Sequence, residues 1–150
     1  AAGKNNAGNK NILPDNFSWV EADGQKLPFK NAEFDFYTIA YGIRNFTDIE
    51  KGLQEAYRIL KTGGKFYCLE FTKVDQPLLQ QFYDFYSFKI IPKIGALVTG
   101  DEQSYQYFVE SIRMFPAKHK FCQMLRDVGF KNIKSTDLTA GITTIFSAEK

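Results

Sequence analysis

Phe34-Asp-Phe-Tyr-Thr-Ile-Ala-Tyr41 and Lys65-Phe-Tyr-Cys-Leu-Glu-Phe71 are the two stretches that decide the fold of this 150-residue chain. Both are rich in aromatic and β-branched residues and short enough for strands. Gly42 ends the first. Between them, Ile49, Leu53, Ala56, Tyr57 and Leu60 recur at helical spacing and lay one apolar stripe along a helix. Thr47 or Asp48 can cap its start. Lys61-Thr-Gly-Gly64 offers a cationic last turn and a glycine stop. The apolar middle of Lys65–Phe71 suits a strand covered on both faces.

Working outward, Phe17–Ala22 reads as a short strand ended by Asp23-Gly24, and Leu27-Pro-Phe29 as a turn with a buried anchor. The first eleven residues are small and polar without apolar period, so 1–16 reads as a disordered arm or loop and 17–150 as the folded unit. Pro77 opens a long helix reaching about Ile91, where Pro92 stops it. Ser104–Arg113 and Ala117–Val128 are two further helices, and Gly129 stops the second. Ile133–Leu138 and Thr143–Ala148 form a closing hairpin around Ala140-Gly141. Strands alternating with helices give a three-layer α/β sheet with parallel strands and a C-terminal antiparallel hairpin.

Composition removes several function classes. The net charge is +2, with no block of like charge to serve nucleic acid. No apolar run approaches the roughly 18 residues needed to span a bilayer. Cys68 and Cys122 lie far apart, which excludes a disulfide scaffold and a zinc ribbon and points to a reducing compartment. One histidine, His119, excludes multi-histidine metal sites and reads as a solvated helix residue. Gly95-Ala-Leu-Val-Thr-Gly100 has phosphate-loop spacing, but Asp101-Glu102 stand where Lys and Ser/Thr are needed. Two sequons, at Asn16 and Asn45, read as chance, since no signal peptide is visible. Aromatics make up 16% of the chain, enough to build a pocket for a flat or greasy ligand as well as a core.

Three places carry candidate chemistry. In α/β sheets, ligands gather beyond the carboxyl ends of the strands. Asp23 after its strand can accept an amino hydrogen bond from a base such as adenine, with Gly24 permitting close approach; an ordinary Asp-Gly turn is the other reading. Arg44 and Asn45, just past Gly42, can present several donors to a developing oxyanion; a surface arginine beside a capping asparagine is the alternative. Phe82, Tyr83, Phe85, Tyr86 and Phe88 crowd a helix that is apolar nearly all round. That helix is core, or a lid over a lipophilic ligand, or a contact for a partner or membrane surface.

Asp23-Gly-Gln-Lys-Leu-Pro-Phe29, Tyr41-Gly-Ile-Arg-Asn-Phe46, Arg58-Ile-Leu-Lys-Thr-Gly-Gly64 and Leu69-Glu-Phe71 together resemble the UbiE-type C-methyltransferases of ubiquinone and menaquinone biosynthesis. The likeness continues through Tyr83-Asp-Phe-Tyr-Ser87, Ile91-Pro92, Ser104-Tyr-Gln-Tyr107, Glu110-Ser-Ile-Arg113 and Leu138-Thr-Ala-Gly141, and leans to the mitochondrial ubiquinone branch. It implies a class I S-adenosylmethionine-dependent, Rossmann-like fold that methylates a ring carbon of a polyprenylated methoxy-benzoquinol. Asp23 and Gly24 match the adenine-binding pair. Ala40 falls where bacterial relatives carry a cofactor-contacting serine, so any contact there is through backbone. Arg44 and Asn45 match the pair beside the substrate ring, and Tyr83, Tyr86 and Phe71 are candidate contacts for the lipophilic substrate. Arginine stays protonated in proteins, so Arg44 is expected to stabilise a phenolate, and Asp101, Glu102 and Glu70 are the candidate proton acceptors. No metal is expected.

The family's glycine-rich loop and the acidic residue for the cofactor's ribose do not occur before Phe17. The chain therefore reads as the C-terminal part of a methyltransferase with about half a cofactor site, an incomplete and inactive fragment on its own. The missing strands would lie beside Phe34–Tyr41, leaving an edge open to self-association. The other readings are a non-catalytic scaffold for quinone-biosynthesis proteins and a methyltransferase for menaquinol. The resemblance implies a peripheral place on the matrix face of the inner mitochondrial membrane, among other ubiquinone-biosynthesis proteins.

Overall fold

The computed structural model describes residues 18–73 and 102–150. Its strands are β1 (Phe34–Ala40), β2 (Leu60–Phe71), β3 (Lys131–Leu138) and β4 (Thr143–Glu149). Its α-helices are α1 (Ile49–Ile59), α2 (Glu102–Met114) and α3 (Lys118–Val128). The expected helix between Pro77 and Ile91 lies outside the described residues, as does the arm 1–16.

The strands make one sheet in the order β1-β2-β4-β3. β1 and β2 are parallel, with Tyr37 opposite Phe66 and Ile39 opposite Cys68. β4 is antiparallel to both neighbours and lies between β2 and β3. The parallel pair with a closing hairpin is thus present, and the hairpin enters by its second strand.

Local chemistry explains α1. Asp48 caps it by accepting from the Lys51 amide at 3.1 Å, and Arg58 sits in its last turn. Leu53, Ala56 and Ile59 are buried, with Ile49 and Tyr57 packed at the margin of the core. The glycine stop is a correction. α1 ends at Ile59 and β2 begins at once, so Lys61–Gly64 belongs to the strand as an irregular stretch where the register against β1 shifts. Gly63 adopts φ +79°, left-handed backbone that glycine takes without Cβ strain. Its amide donates to the Lys150 carbonyl at 2.8 Å.

One face of the sheet carries the core. Phe66, Cys68, Phe146 and Ala148 pack against Leu53 and Ala56 of α1 and Phe121 and Leu125 of α3. Burial along β2 alternates: Phe66, Cys68 and Glu70 are buried while Tyr67, between two of them, is 40% exposed. On the same open face Phe36 is 64% exposed. Among the described residues helices cover one face of the sheet; the expected helix at 77–91, which a third layer would need, lies outside them. The expected strand at 17–22 is a correction: residues 18–22 have no regular structure and are exposed. A strand requires a partner for its backbone groups, and no described strand pairs with this segment.

Candidate active site

The Asp23 turn, the end of β1 and the end of β2 gather at one end of the sheet. Tyr41 leaves β1 at φ +52°, an uncommon conformation for a bulky residue. Its amide donates to the Leu69 carbonyl at 2.8 Å, and its ring lies 4.5 Å from that of Phe71. A left-handed residue at this point turns the chain abruptly into the 3₁₀ turn Ile43–Asn45.

Arg44 projects inward from that turn. Its side chain is 9% exposed and that of Glu70, its partner, is 0% exposed. Nη1 donates to Glu70 Oε1 at 3.0 Å and to the Tyr41 carbonyl, and Nε donates to Ser111 Oγ at 3.2 Å. The guanidinium carbon stands 5.7 Å from the Phe71 ring centre and 5.3 Å from that of Phe108, within cation–π range. Among the described residues Nη2 makes no hydrogen bond. Among the described residues Glu70 accepts three: from Arg44 Nη1, from the Phe71 amide at 3.0 Å and from the Arg44 amide at 3.3 Å. A buried carboxylate is tolerated only when charge-paired and hydrogen-bonded in this way. Burial first, and the Glu70 charge second, push the thiol of Cys68 upward.

Asn45 is exposed, and its Oδ1 accepts from the Tyr107 hydroxyl at 3.4 Å. The two members of the Arg-Asn pair therefore differ, one with its side chain held in a fixed network and one at the surface. Asp23 is exposed, and its Oδ1 accepts from the Gln25 amide at 2.9 Å in a tight turn. Gln25 ties that turn to the start of α1, its Oε1 accepting from the Asp48 amide at 2.8 Å. Gly24 is needed for packing: a Cβ there would stand 2.4 Å from the Phe46 ring. Ala40 is exposed at the end of β1.

Phe71 lies in the Arg44 cluster, while Tyr83, Tyr86 and Asp101 are outside the described residues, and the side chain of Glu102 is likewise undescribed. Tyr41, Phe108 and Ser111 were missed by sequence reasoning. For Ser111 and Phe108 the signal lay only in their helix; its pairing with the Arg44 turn is a tertiary fact. Among the described residues no cluster of His, Cys, Asp and Glu could hold a metal ion. Two surface hollows, about 480 and 430 Å³, lie over α3–β3 and over β3–β4, away from this network.

The whole chain, residues 1–150, matches the model of the ubiE/COQ5 methyltransferase family. It is 53% identical over 133 residues to the rice 2-methoxy-6-polyprenyl-1,4-benzoquinol methylase, mitochondrial, covering 89% of this chain and 45% of that protein. Its identity to the human protein of the same name is 51%, covering 41% of it. With the ubiquinone/menaquinone biosynthesis C-methyltransferase UbiE of Rickettsia bellii it is 52%, covering 54%. The chain thus spans about half the length of the curated relatives it matches. Among solved structures, a SAM-dependent methyltransferase from Thermotoga maritima aligns with TM-score 0.61 at 23% identity, over 87% of this chain and 63% of that one. Human N-acetylserotonin methyltransferase in complex with SAM aligns with TM-score 0.57 at 21% identity, over 90% of this chain and 36% of that one. Sequence and fold agree, and the chain belongs to the ubiE/COQ5 methyltransferase family.

Proposed function

We propose that this chain is the acceptor-side half of an S-adenosylmethionine-dependent C-methyltransferase whose substrate is a polyprenylated methoxy-benzoquinol of ubiquinone biosynthesis. The observation that carries the reading is the Arg44 side chain, 9% exposed and flanked by Phe71 and Phe108, with Nη2 uncommitted among the described residues at the end of the parallel strands. The names of the relatives supply the substrate class and the mitochondrial setting. A peripheral position on the matrix face of the inner membrane belongs to the same proposal.

The residues present fit part of the cofactor. Asp23 keeps Oδ2 free of hydrogen bonds among the described residues and is exposed, as an acceptor for an adenine amino group requires. Ala40 has no side-chain donor, so its backbone is what it can offer. S-adenosylmethionine supplies an electrophilic methyl group. The rest of the chemistry falls to the acceptor: a ring carbon becomes nucleophilic when an adjacent ring hydroxyl loses its proton. Arg44 cannot take that proton, because a guanidinium stays charged. It can donate from Nη2 to the resulting phenolate, in a setting from which water is largely excluded, where such a donor counts for far more than in bulk solvent. Phe71 and Phe108 supply apolar surface beside it.

The test is Arg44→Lys in the full-length protein that carries this segment. Turnover is expected to fall about 100-fold or more, the usual effect of removing one oxyanion donor, with cofactor affinity unchanged by calorimetry. Unchanged turnover would exclude this role for Arg44. A second reading, a non-catalytic partner-binding module, is favoured by the sheet face bearing the exposed Phe36 and Tyr67, which is uncovered among the described residues. A full-length protein that binds no cofactor would support that reading instead.

A further inference from the structure

We infer that Glu70 is a positioning residue for the reaction, its carboxylate holding Arg44 so that Nη2 is the donor left for a ligand oxygen. The inference rests on the reading of Arg44 given above.

The helix-covered face of β2 runs Phe66, Cys68, Glu70. Packing alone would place a third apolar residue there, since burying a charge is unfavourable unless a partner is supplied. Glu70 instead grips Arg44 twice, at the side-chain Nη1 and at the backbone amide, and also takes the Phe71 amide. One carboxylate therefore fixes both the turn that carries Arg44 and the conformation of its long side chain. Ser111 takes Nε and the Tyr41 carbonyl shares Nη1, so all three anchoring groups described come from outside the Arg44 turn's own residues, Ile43–Asn45, and Glu70 is the one that bears charge. Among the described residues no other acid pairs with Arg44. A donor free to rotate would lose the geometric advantage on which such catalysis depends.

A double-mutant cycle in the full-length protein tests this, using S-adenosylmethionine and a methoxy-benzoquinol with a short prenyl tail. Glu70→Gln is expected to lower kcat about 10- to 100-fold while the KM for S-adenosylmethionine stays within about twofold. In an Arg44→Lys background the same change is expected to have little further effect, because its partner is already gone. Should Glu70→Gln fail to fold, Glu70→Asp keeps the charge and shortens the reach; kcat then falls at least about fivefold, again only when Arg44 is present. Equal losses in both backgrounds, or a lowered Tm with kcat unchanged, would overturn the proposal. Failure of the Arg44 reading is visible separately, as unaltered kcat in Arg44→Lys alone.

Discussion

The Phe46 ring lies close against two glycines. A Cβ on Gly24 would meet its ring at 2.4 Å and one on Gly52 at 2.3 Å. Gly52 lies inside α1, where alanine is intrinsically better by about 1 kcal/mol. Overpacking costs about 1–3 kcal/mol, and the tip of the same ring already lies close against Gly24. Gly52→Ala is therefore expected to destabilise the chain, measured as a lower urea midpoint at constant m-value, and Phe46→Leu is expected to recover part of the loss in the Gly52→Ala background. The same scale shows how much of the site was legible. The position of Arg44 just past a strand end follows from local pattern, and Asp48 as a cap follows from its place before an apolar period. That Glu70 answers Arg44 across 26 positions in the chain does not; only the sheet register brings the two strand ends together. Asp23-Gly24 admitted two readings, and the Gly24 contact with Phe46 shows a packing need that neither reading contained.

Elements followed local chemistry wherever a neighbour was available. α1 and the parallel pair formed as their periodicity required, whereas the segment 18–22, equally strand-like in composition, pairs with no described strand and stayed irregular. β-propensity reports fitness for a half-buried pleated surface, and without that surface it decides nothing. Lys61–Gly64 misled for the opposite reason: its glycines accommodate an irregular stretch at the start of a strand as readily as a helix end. A polar chain ties the far side of the sheet to α3. Thr72 Oγ1 lies 2.7 Å from Thr144 Oγ1, which donates to Asp137 Oδ1, and Lys118 Nζ holds Oδ2 at 2.9 Å. The Lys118 bond first and the Thr144 bond second hold the Asp137 carboxyl below its ordinary 3.8. A carboxyl lowered on folding stabilises the native state above its unfolded value and loses that contribution as pH falls through the folded one. Stability is thus expected to drop from about pH 4 downward, and Asp137→Asn to flatten that limb in urea titrations; an unaltered limb would exclude the assignment. Cys68 and Cys122 are buried with thiols pushed up by burial. Both are expected to resist iodoacetamide in the folded chain and react on unfolding, read by mass spectrometry.

At the scale of the molecule, the described fold leaves the outer edge of β1 and the sheet face bearing Phe36 and Tyr67 without cover among the described residues. An open edge beside an apolar surface invites pairing with another copy. Sedimentation of the chain alone is expected to show dimers or larger species, and Phe36→Lys to shift them toward monomer; a clean monomer for the unaltered chain would exclude such association. The position of β4 carries a different consequence. β4 follows the other three described strands in the sequence yet is an inner strand of the sheet, bonded on both sides to strands made before it. During synthesis β2 and β3 must wait, unjoined, until β4 leaves the ribosome, so these strands of the sheet cannot join in the order they are translated. Its folding is committed to late, long-range closure, and the nascent chain is exposed to mispairing for the whole of that wait.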